Sequence, residues 1–353
     1  MSTVNIHDDV VPDESPNIEL YTRNGFTGPA ATIIRAQYTP PYSRVQGAYV
    51  PYRFDMNGLS SSAFADPEAP PVAIMEGEGV SVELAIRTQG SAAAFRNVFG
   101  DELHYVMEGE GRLDTDFGYL EVRPGDFVLL PRAVTYRWAA VTRALREMIV
   151  VTASELSVDP RNAPGVLNVD RDVDVPTPDP TSDRGPGEYV VIVRHGSAFT
   201  RYFYDYDPMP VLAAAGAPIV RRYNIADVHS LSVDSGHLMP TRIINDATTR
   251  TLVFDLSSRR SDRPPVHHNA DYDEVIFYVA GPGHYGAVDR PGTITWTPKG
   301  IIHQGPEENV PEGYKAWLLE TRASLALTPA GRDLGRLMET GRFDIHPSQS
   351  ATV

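Results

Sequence analysis

PPVHHNADYDEVIFYVAGPGHYGAVDRPGTITWTPKGIIHQG, running from Pro264 to Gly305, is the stretch whose reading decides this chain. Three of its side chains, His268, Glu274 and His303, suit one metal ion. Two neutral imidazoles and a carboxylate form a set that holds non-haem Fe(II) on one face and leaves the other open. A continuous strand would carry His268 about 20 Å from Glu274, at ~3.3 Å per residue, too far for one ion. The chain must therefore bend, and Asn269–Asp273 supplies turn formers where the bend is needed. Glu274–Val279 then reads as a strand, Thr293–Thr297 as a second, and Pro298–Gly300 as a turn that can return His303 to the first two side chains. His267 is expected to point to the opposite face of its strand. A structural hydrogen-bond cluster is the plainer use of such a set.

A second, weaker copy of this frame lies upstream. Glu102 precedes Gly109 by seven residues, as Glu274 precedes Gly281. Gly125, Pro131, Ala133 and Tyr136 then repeat the spacing of Gly292, Pro298, Gly300 and His303, with an apolar strand in each gap. Two matching blocks in one order indicate a duplicated β unit. In the upstream copy, Arg96 and Val98 stand where metal-binding histidines are expected and Tyr136 replaces the late histidine. That unit is read as structural and metal-free, with His104 a structural residue inside it.

The chain has 353 residues, 42% of them hydrophobic, and a formal net charge of −15. That length allows two domains. The acidic balance argues against a nucleic-acid or anionic-membrane surface. With no cysteine, disulfides and thiolate metal sites are excluded. No basic leader and no run of ~18 apolar residues is seen, so a cytoplasmic location is expected.

The expected organisation is an irregular arm over 1–70, a β unit over 71–151, a linker or strap over 152–186, a second β unit over 187–330, and a terminal helix and tail over 331–353. Val211–Gly216 is a candidate short helix. Thr328 and Pro329 form an N-cap and first-turn pair for the terminal one. Trp296 and Phe277 are assigned to the core.

The duplicated frame resembles the cupin superfamily, whose motifs carry HxH, a following Glu and a late His after P-x-G. The resemblance implies an all-β chain of two jelly-roll barrels with few short helices, the N-terminal barrel degenerate. A barrel pair with one His-Glu-His site is similar to the homogentisate 1,2-dioxygenase family. Arg263–Asn269 with Glu274 resembles that family's R-P-P-x-x-H-R-N…E. Gly283–Ala287 resembles G-H-Y-E-A, and Thr297–Gly300 resembles T-P-H-G. Glu320–Thr328 resembles E-S-S-L-S-L-A-V-T, and Gly187–Ile192 resembles G-G-Y-T-V-I. The likeness runs from about 187 to 330 and is thin before 150.

That resemblance implies Fe(II) on His268, Glu274 and His303. It implies a small aromatic substrate and O2, a homo-oligomer, and Tyr285 in substrate binding, with His284 beside it. The family's acid–base histidine falls in the loop Ser232–His237. Ungapped counting puts Ser235 at its place and His237 two residues on, so His237 is the candidate base. The family's substrate lysine is replaced by Val288, and the chain's lysines are Lys299 and Lys315. The expected ring therefore lacks the acetate arm or carries its acid elsewhere. The expected activity is extradiol-type ring opening of a homogentisate-like substrate, hydroquinone or hydroxybenzoate. A cupin isomerase or lyase with a redox-silent metal is the alternative, with a non-catalytic small-molecule-binding bicupin a third. Gentisate dioxygenase-like enzymes fit less well, because their ligands occupy a different frame.

Overall fold

The computed structural model describes residues 17–37, 45–60, 64–158, 167–217, 219–229, 240–257, 265–280, 291–305 and 315–338. Among them, strands form a twelve-stranded, an eight-stranded and a three-stranded sheet. The chain is all-β, as the sequence implies. Its described α-helices are the short turns Val169–Asp172 and Pro329–Leu334. None is long and apolar enough to cross a membrane.

The twelve-stranded sheet is built on the long pair Asp101–Thr115 and Thr135–Thr152. Val80–Arg87 flanks this pair on one side and Asp126–Leu130 on the other. The eight-stranded sheet is built on Asp273–Ala280, held between Thr293–Thr297 and Lys315–Thr321. Thr251–Ser257 and Thr241–Asp246 continue it. Each sheet wraps an apolar interior of its own, with Val106, Leu113, Trp138 and Leu145 in the first and Leu252, Phe254, Tyr278 and Leu318 in the second.

Alternation along each central strand decides what goes where. Leu103 and Tyr105 face one way, and so do Val275 and Phe277. All four lie in a large cluster shared by the two sheets. There Tyr105 meets Phe277 at 4.9 Å and Trp317 at 5.4 Å between ring centres. Phe127 meets Trp317 at 5.3 Å and Tyr223 at 4.9 Å. Trp296 belongs to the same cluster, so both it and Phe277 pack in the core. The opposite faces carry His104 and Val106 in one unit, and Glu274, Ile276 and Tyr278 in the other. A buried polar face opposite a buried apolar one is what a barrel interior adapted for chemistry requires.

The sheets do not divide where the expected boundaries lie. Tyr189–His195 runs parallel to Ala94–Asn97, and Arg221–Asn224 pairs with Asp126–Leu130, so both extend the first sheet although they follow residue 187. Conversely, Tyr52–Asp55 from the arm pairs with Thr293–Thr297, and Leu156–Val158 pairs with Thr241–Asp246. Ala326–Leu327 returns to Val72–Gly77 of the first sheet. Each unit covers its sheet edges with strands borrowed from beyond the other, which satisfies edge N–H and C=O groups. Two helix expectations are corrected as well. Val211–Gly216 forms no helix, and the terminal helix ends at Leu334, with Gly335 as its C-cap. Its start is as expected, with Thr328 Oγ1 accepting from Gly331 N at 3.0 Å.

Candidate metal centre

His267 and His303 are fixed opposite each other by backbone. His267 N donates to His303 O and His303 N to His267 O, each at 2.9 Å. Each ring is then turned by its own strand. Nδ1 of His267 lies 2.9 Å from Pro265 O, and Nδ1 of His303 lies 2.9 Å from Ile301 O. A carbonyl can only accept, so both Nδ1 atoms carry the proton and both Nε2 lone pairs are left for a ligand. The Nε2 atoms converge on Glu274: His303 Nε2 is 3.2 Å from Oε2, and His267 Nε2 is 4.0 Å from Oε1. The ring centres are 4.3 Å apart. Among the described residues, His267, Glu274 and His303 form the one His/Cys/Asp/Glu group whose ligand atoms all lie within 4.8 Å of one another. Such donors, with two oriented lone pairs and one carboxylate, fit an ion bonded at about 2.0–2.2 Å after small side-chain adjustments.

Electrostatics agree with that use. Burial, helped by His303, pushes His267 down to about 4, so it is a neutral donor at ordinary pH. Burial works against the charge on Glu274, yet His303, then His267 and Asn269, hold its carboxyl below the usual range. Burial likewise opposes charge on His303, and Glu274 outweighs it, raising that ring. A carboxylate held ionised in a buried place among imidazoles fits a cation in charge as well as geometry.

His268 is not part of this group. It faces the other way, with its Nδ1 3.0 Å from Glu19 Oε1, without hydrogen-bond geometry, and its ring edge-on to Tyr21 at 5.1 Å. The arm strand Asn17–Thr22 runs parallel to Val266–Asn269 and sets Tyr21 opposite His268. The alternation expected for His267 and His268 is present, with the two faces exchanged. A sequence signal could have chosen correctly. Counted from His267, the run is H-x-N followed by four residues and Glu274, so Asn269 takes the place of the motif's second histidine.

The upstream unit shows the same register. Phe95 pairs with Tyr136 where His267 pairs with His303. Asn97 stands five residues before Glu102, as Asn269 stands before Glu274. Asn97 Oδ1 accepts from Phe99 N at 2.9 Å, and Asn269 Oδ1 from Asp271 N at 3.2 Å, so each asparagine closes the bend ahead of its glutamate. The motif positions in the first unit are thus Phe95 and Asn97, in place of Arg96 and Val98. Arg96 instead donates to Thr135 Oγ1 at 2.6 and 2.8 Å.

Glu102 faces a protein cation. His104 Nε2 lies 3.2 Å from Glu102 Oε2, and its Nδ1 3.0 Å from Glu147 Oε1. Arg87 Nε holds the other Glu147 oxygen at 2.6 Å. Burial would lower His104, but Glu102 and Glu147 together raise it to about 9. Burial would raise Glu102, but His104, Asn97 and Tyr136 hold it at about 2. An imidazolium here answers the carboxylate that the other unit offers to an ion.

The second barrel's interior carries two further polar groups that the motif reading passed over. Glu320 lies directly across from Glu274 and is fully buried. Its Oε1 accepts from Asn269 Nδ2 at 3.1 Å, and its Oε2 has no hydrogen-bond partner. Burial, with the nearby Glu274 charge, pushes its carboxyl well above the usual range. Arg242 is the second and is taken up below. Phe26 of the arm packs against Phe254 at 5.5 Å and lies against this interior. His237, His284, Tyr285 and Val288 lie outside the described residues.

Comparison with known proteins points the same way as these motifs. A family model described as homogentisate 1,2-dioxygenase N-terminal matches residues 72–225. A provisionally named dioxygenase of Saccharolobus solfataricus is 26% identical over 268 residues, covering 72% of this chain and 67% of that protein. Homogentisate 1,2-dioxygenase of Emericella nidulans is 23% identical over 225 residues. That match covers 59% of this chain and spans only half the length of that enzyme. Among solved structures, a cupin 2 conserved barrel domain protein from Leptotrichia buccalis aligns with a TM-score of 0.46 at 12% identity, over 78% of this chain and 98% of that one. By these matches the chain is similar to homogentisate 1,2-dioxygenase and to a dioxygenase-named relative.

Proposed function

We propose that the chain is an Fe(II)-dependent dioxygenase that opens the ring of a hydroxylated aromatic with O2. The observation that carries this reading is the convergence of His267 Nε2, His303 Nε2 and the Glu274 carboxylate on one buried point facing an aromatic-lined interior. Bound there, Fe(II) would supply open positions for a ring hydroxyl and O2, and the redox chemistry between them.

The chain's own residues supply the rest. The bonds from Nδ1 of His267 and His303 to Pro265 O and Ile301 O keep both rings aimed and both lone pairs available. Glu274 offsets part of the ion's charge. Asn269 holds the bend that delivers Glu274 and tethers Glu320 beside it. Phe254, Leu318 and Tyr278 exclude water and give a flat ring an apolar wall. His237, two residues beyond the place of the family's acid–base histidine, is proposed as the base that takes the ring hydroxyl proton, and Tyr285 with His284 as substrate contacts, in keeping with the family's G-H-Y motif.

The test is anaerobic purification, metal analysis and an oxygen-electrode screen of hydroquinones, hydroxybenzoates and 2,5-dihydroxyphenylacetate. Bound iron and O2 consumed in proportion to ring added are the expected results. A redox-silent metal with no O2 uptake would overturn the reading in favour of an isomerase or lyase. Normal metal content in His303→Ala would favour a binding protein.

A further inference from the structure

We infer that Arg242 is a substrate-positioning residue, holding the carboxylate of an aromatic acid inside the second barrel. This rests on the ring-opening reading for the nature of the ring and adds to it the group by which the ring is held.

Register puts Arg242 on the interior wall. It lies directly across from Phe254, which lies across from Leu318, which lies across from Ile276. Direct partners in an antiparallel sheet share a face. Phe254 and Leu318 belong to the interior cluster, with Ile276 packed against it. Glu320 and Glu274 are one step of two residues along the same faces of their strands. Arg242 therefore lies on the same face of the sheet as Glu274, three strands along it, and looks into the interior that this face lines.

Arg242 Nε is buried and has no hydrogen-bond partner among the described residues. A guanidinium stays charged at any ordinary pH, so a half-buried one whose Nε is enclosed without a partner is costly. Other enclosed arginines have carboxylates. Arg87 holds Glu147 at 2.6 Å, Arg137 holds Asp114 at 2.7 Å, and Arg194 holds Glu83 at 2.6 Å. Among the described residues no carboxylate forms an ion pair with Arg242, although Glu320 feels its charge. The side chain is only partly buried, so the space beside it is open to an entering molecule.

The chain's lysines do not compete for this role. Lys299 Nζ donates to Arg322 O at 2.8 Å and to Ala323 O at 3.1 Å. Lys315 Nζ lies 2.7 Å from Asp255 Oδ1. Position 288, where the resemblance implies a substrate lysine, is valine. A guanidinium fork on the wall accepts a carboxylate through two parallel N–H···O bonds, fixing the angle of the ring as well as its position. The ring would then lie along Phe254 and Leu318 with a hydroxyl directed at the metal group.

The test measures binding to the full chain under anaerobic conditions, with iron loaded and without, by titration calorimetry. The probes are 2,5-dihydroxybenzoate, 2,5-dihydroxyphenylacetate and the uncharged 1,4-dihydroxybenzene. At least one acid should bind the unaltered protein about tenfold or more tightly than the uncharged ring, and Arg242→Met should erase that preference without changing metal content or affinity for the uncharged ring. Arg242→Lys should keep part of the preference, which also covers failure of the methionine variant to fold. Two results overturn the proposal: no preference for either acid in the unaltered protein, or a preference that survives both substitutions. The two readings separate cleanly. Acid-selective binding lost in Arg242→Met, with no O2 uptake, keeps the anchor and sinks ring opening. O2 uptake on the uncharged ring with no acid preference does the reverse.

Discussion

His267 and His268 are chemically identical neighbours, and only the direction of their side chains separates a candidate metal ligand from a partner of the arm. His267→Ala should weaken metal binding by more than the ~10–100-fold typical of losing an outer partner of a ligand. His268→Ala should leave metal content unchanged, because its contacts are Glu19 and Tyr21. Metal analysis of the two proteins side by side decides the point, and metal lost only from His268→Ala would reverse the assignment. His104 allows a second prediction at this scale. Its folded value of about 9 lies above the ordinary histidine value. Its contribution to stability is therefore complete below about pH 6.5 and is lost as pH rises through about 9. The melting temperature should fall between pH 7 and 9.5, and His104→Asn should flatten that fall. An equal slope in both proteins would show that the imidazolium adds nothing.

The turn before the late motif residue is built alike in both units. Ala133 N donates to Asn97 O at 2.7 Å, and Gly300 N to Asn269 O at 2.7 Å. Both donors are left-handed, with φ of 67° at Ala133 and 79° at Gly300. A Cβ at Gly300 would meet no atom within 4 Å, so its cost there is backbone strain alone. Gly300→Ala should lower stability by about 1 kcal/mol or somewhat more, while Ala133→Gly should be neutral or stabilising by less than about 1 kcal/mol, since relief of strain is offset by a freer unfolded chain. Chemical denaturation measures both, and a stabilising Gly300→Ala would contradict the turn's geometry. The P-x-[AG] spacing was legible because this turn demands a residue tolerant of positive φ. The register of the histidines was less so. Its signal was the pair of asparagines five residues before Glu102 and Glu274, whose role becomes visible only once their side chains are seen closing the bend.

Across the whole molecule, the two barrels share one core and exchange strands. Trp317 is fully buried between Tyr105, Phe127 and Phe277. Trp317→Ala should cost about 3–5 kcal/mol. The loss should appear in one cooperative unfolding transition, because the cluster belongs to both units. Two transitions, with only one shifted, would mean that the barrels are energetically separate. A fragment beginning at residue 187 should fail to fold or bind metal. It would lack Tyr52–Asp55 and Leu156–Val158 from its own sheet, and it would carry Tyr189–His195 with no first sheet to join. A folded, metal-binding fragment, read by circular dichroism and metal analysis, would refute this.

The sequence by itself determined the β class, the duplicated frame, the turns, the bend before Glu274, and Glu274 and His303 as anchors of the candidate site. These follow from local rules: strand alternation, turn chemistry and spacing within one motif. Only the tertiary structure decided which of two adjacent histidines faces Glu274, because that depends on the pairing of Val266–Asn269 with the arm and with His303. The division of strands between barrels was likewise undecided, since sheet edges are completed by segments more than a hundred residues away, such as Tyr52–Asp55 beside Thr293–Thr297. Arg242 and Glu320 read as ordinary charged strand residues until register turned them inward. A buried charge is recognised by what surrounds it in space, and that neighbourhood is assembled from four strands spread between Thr241 and Thr321.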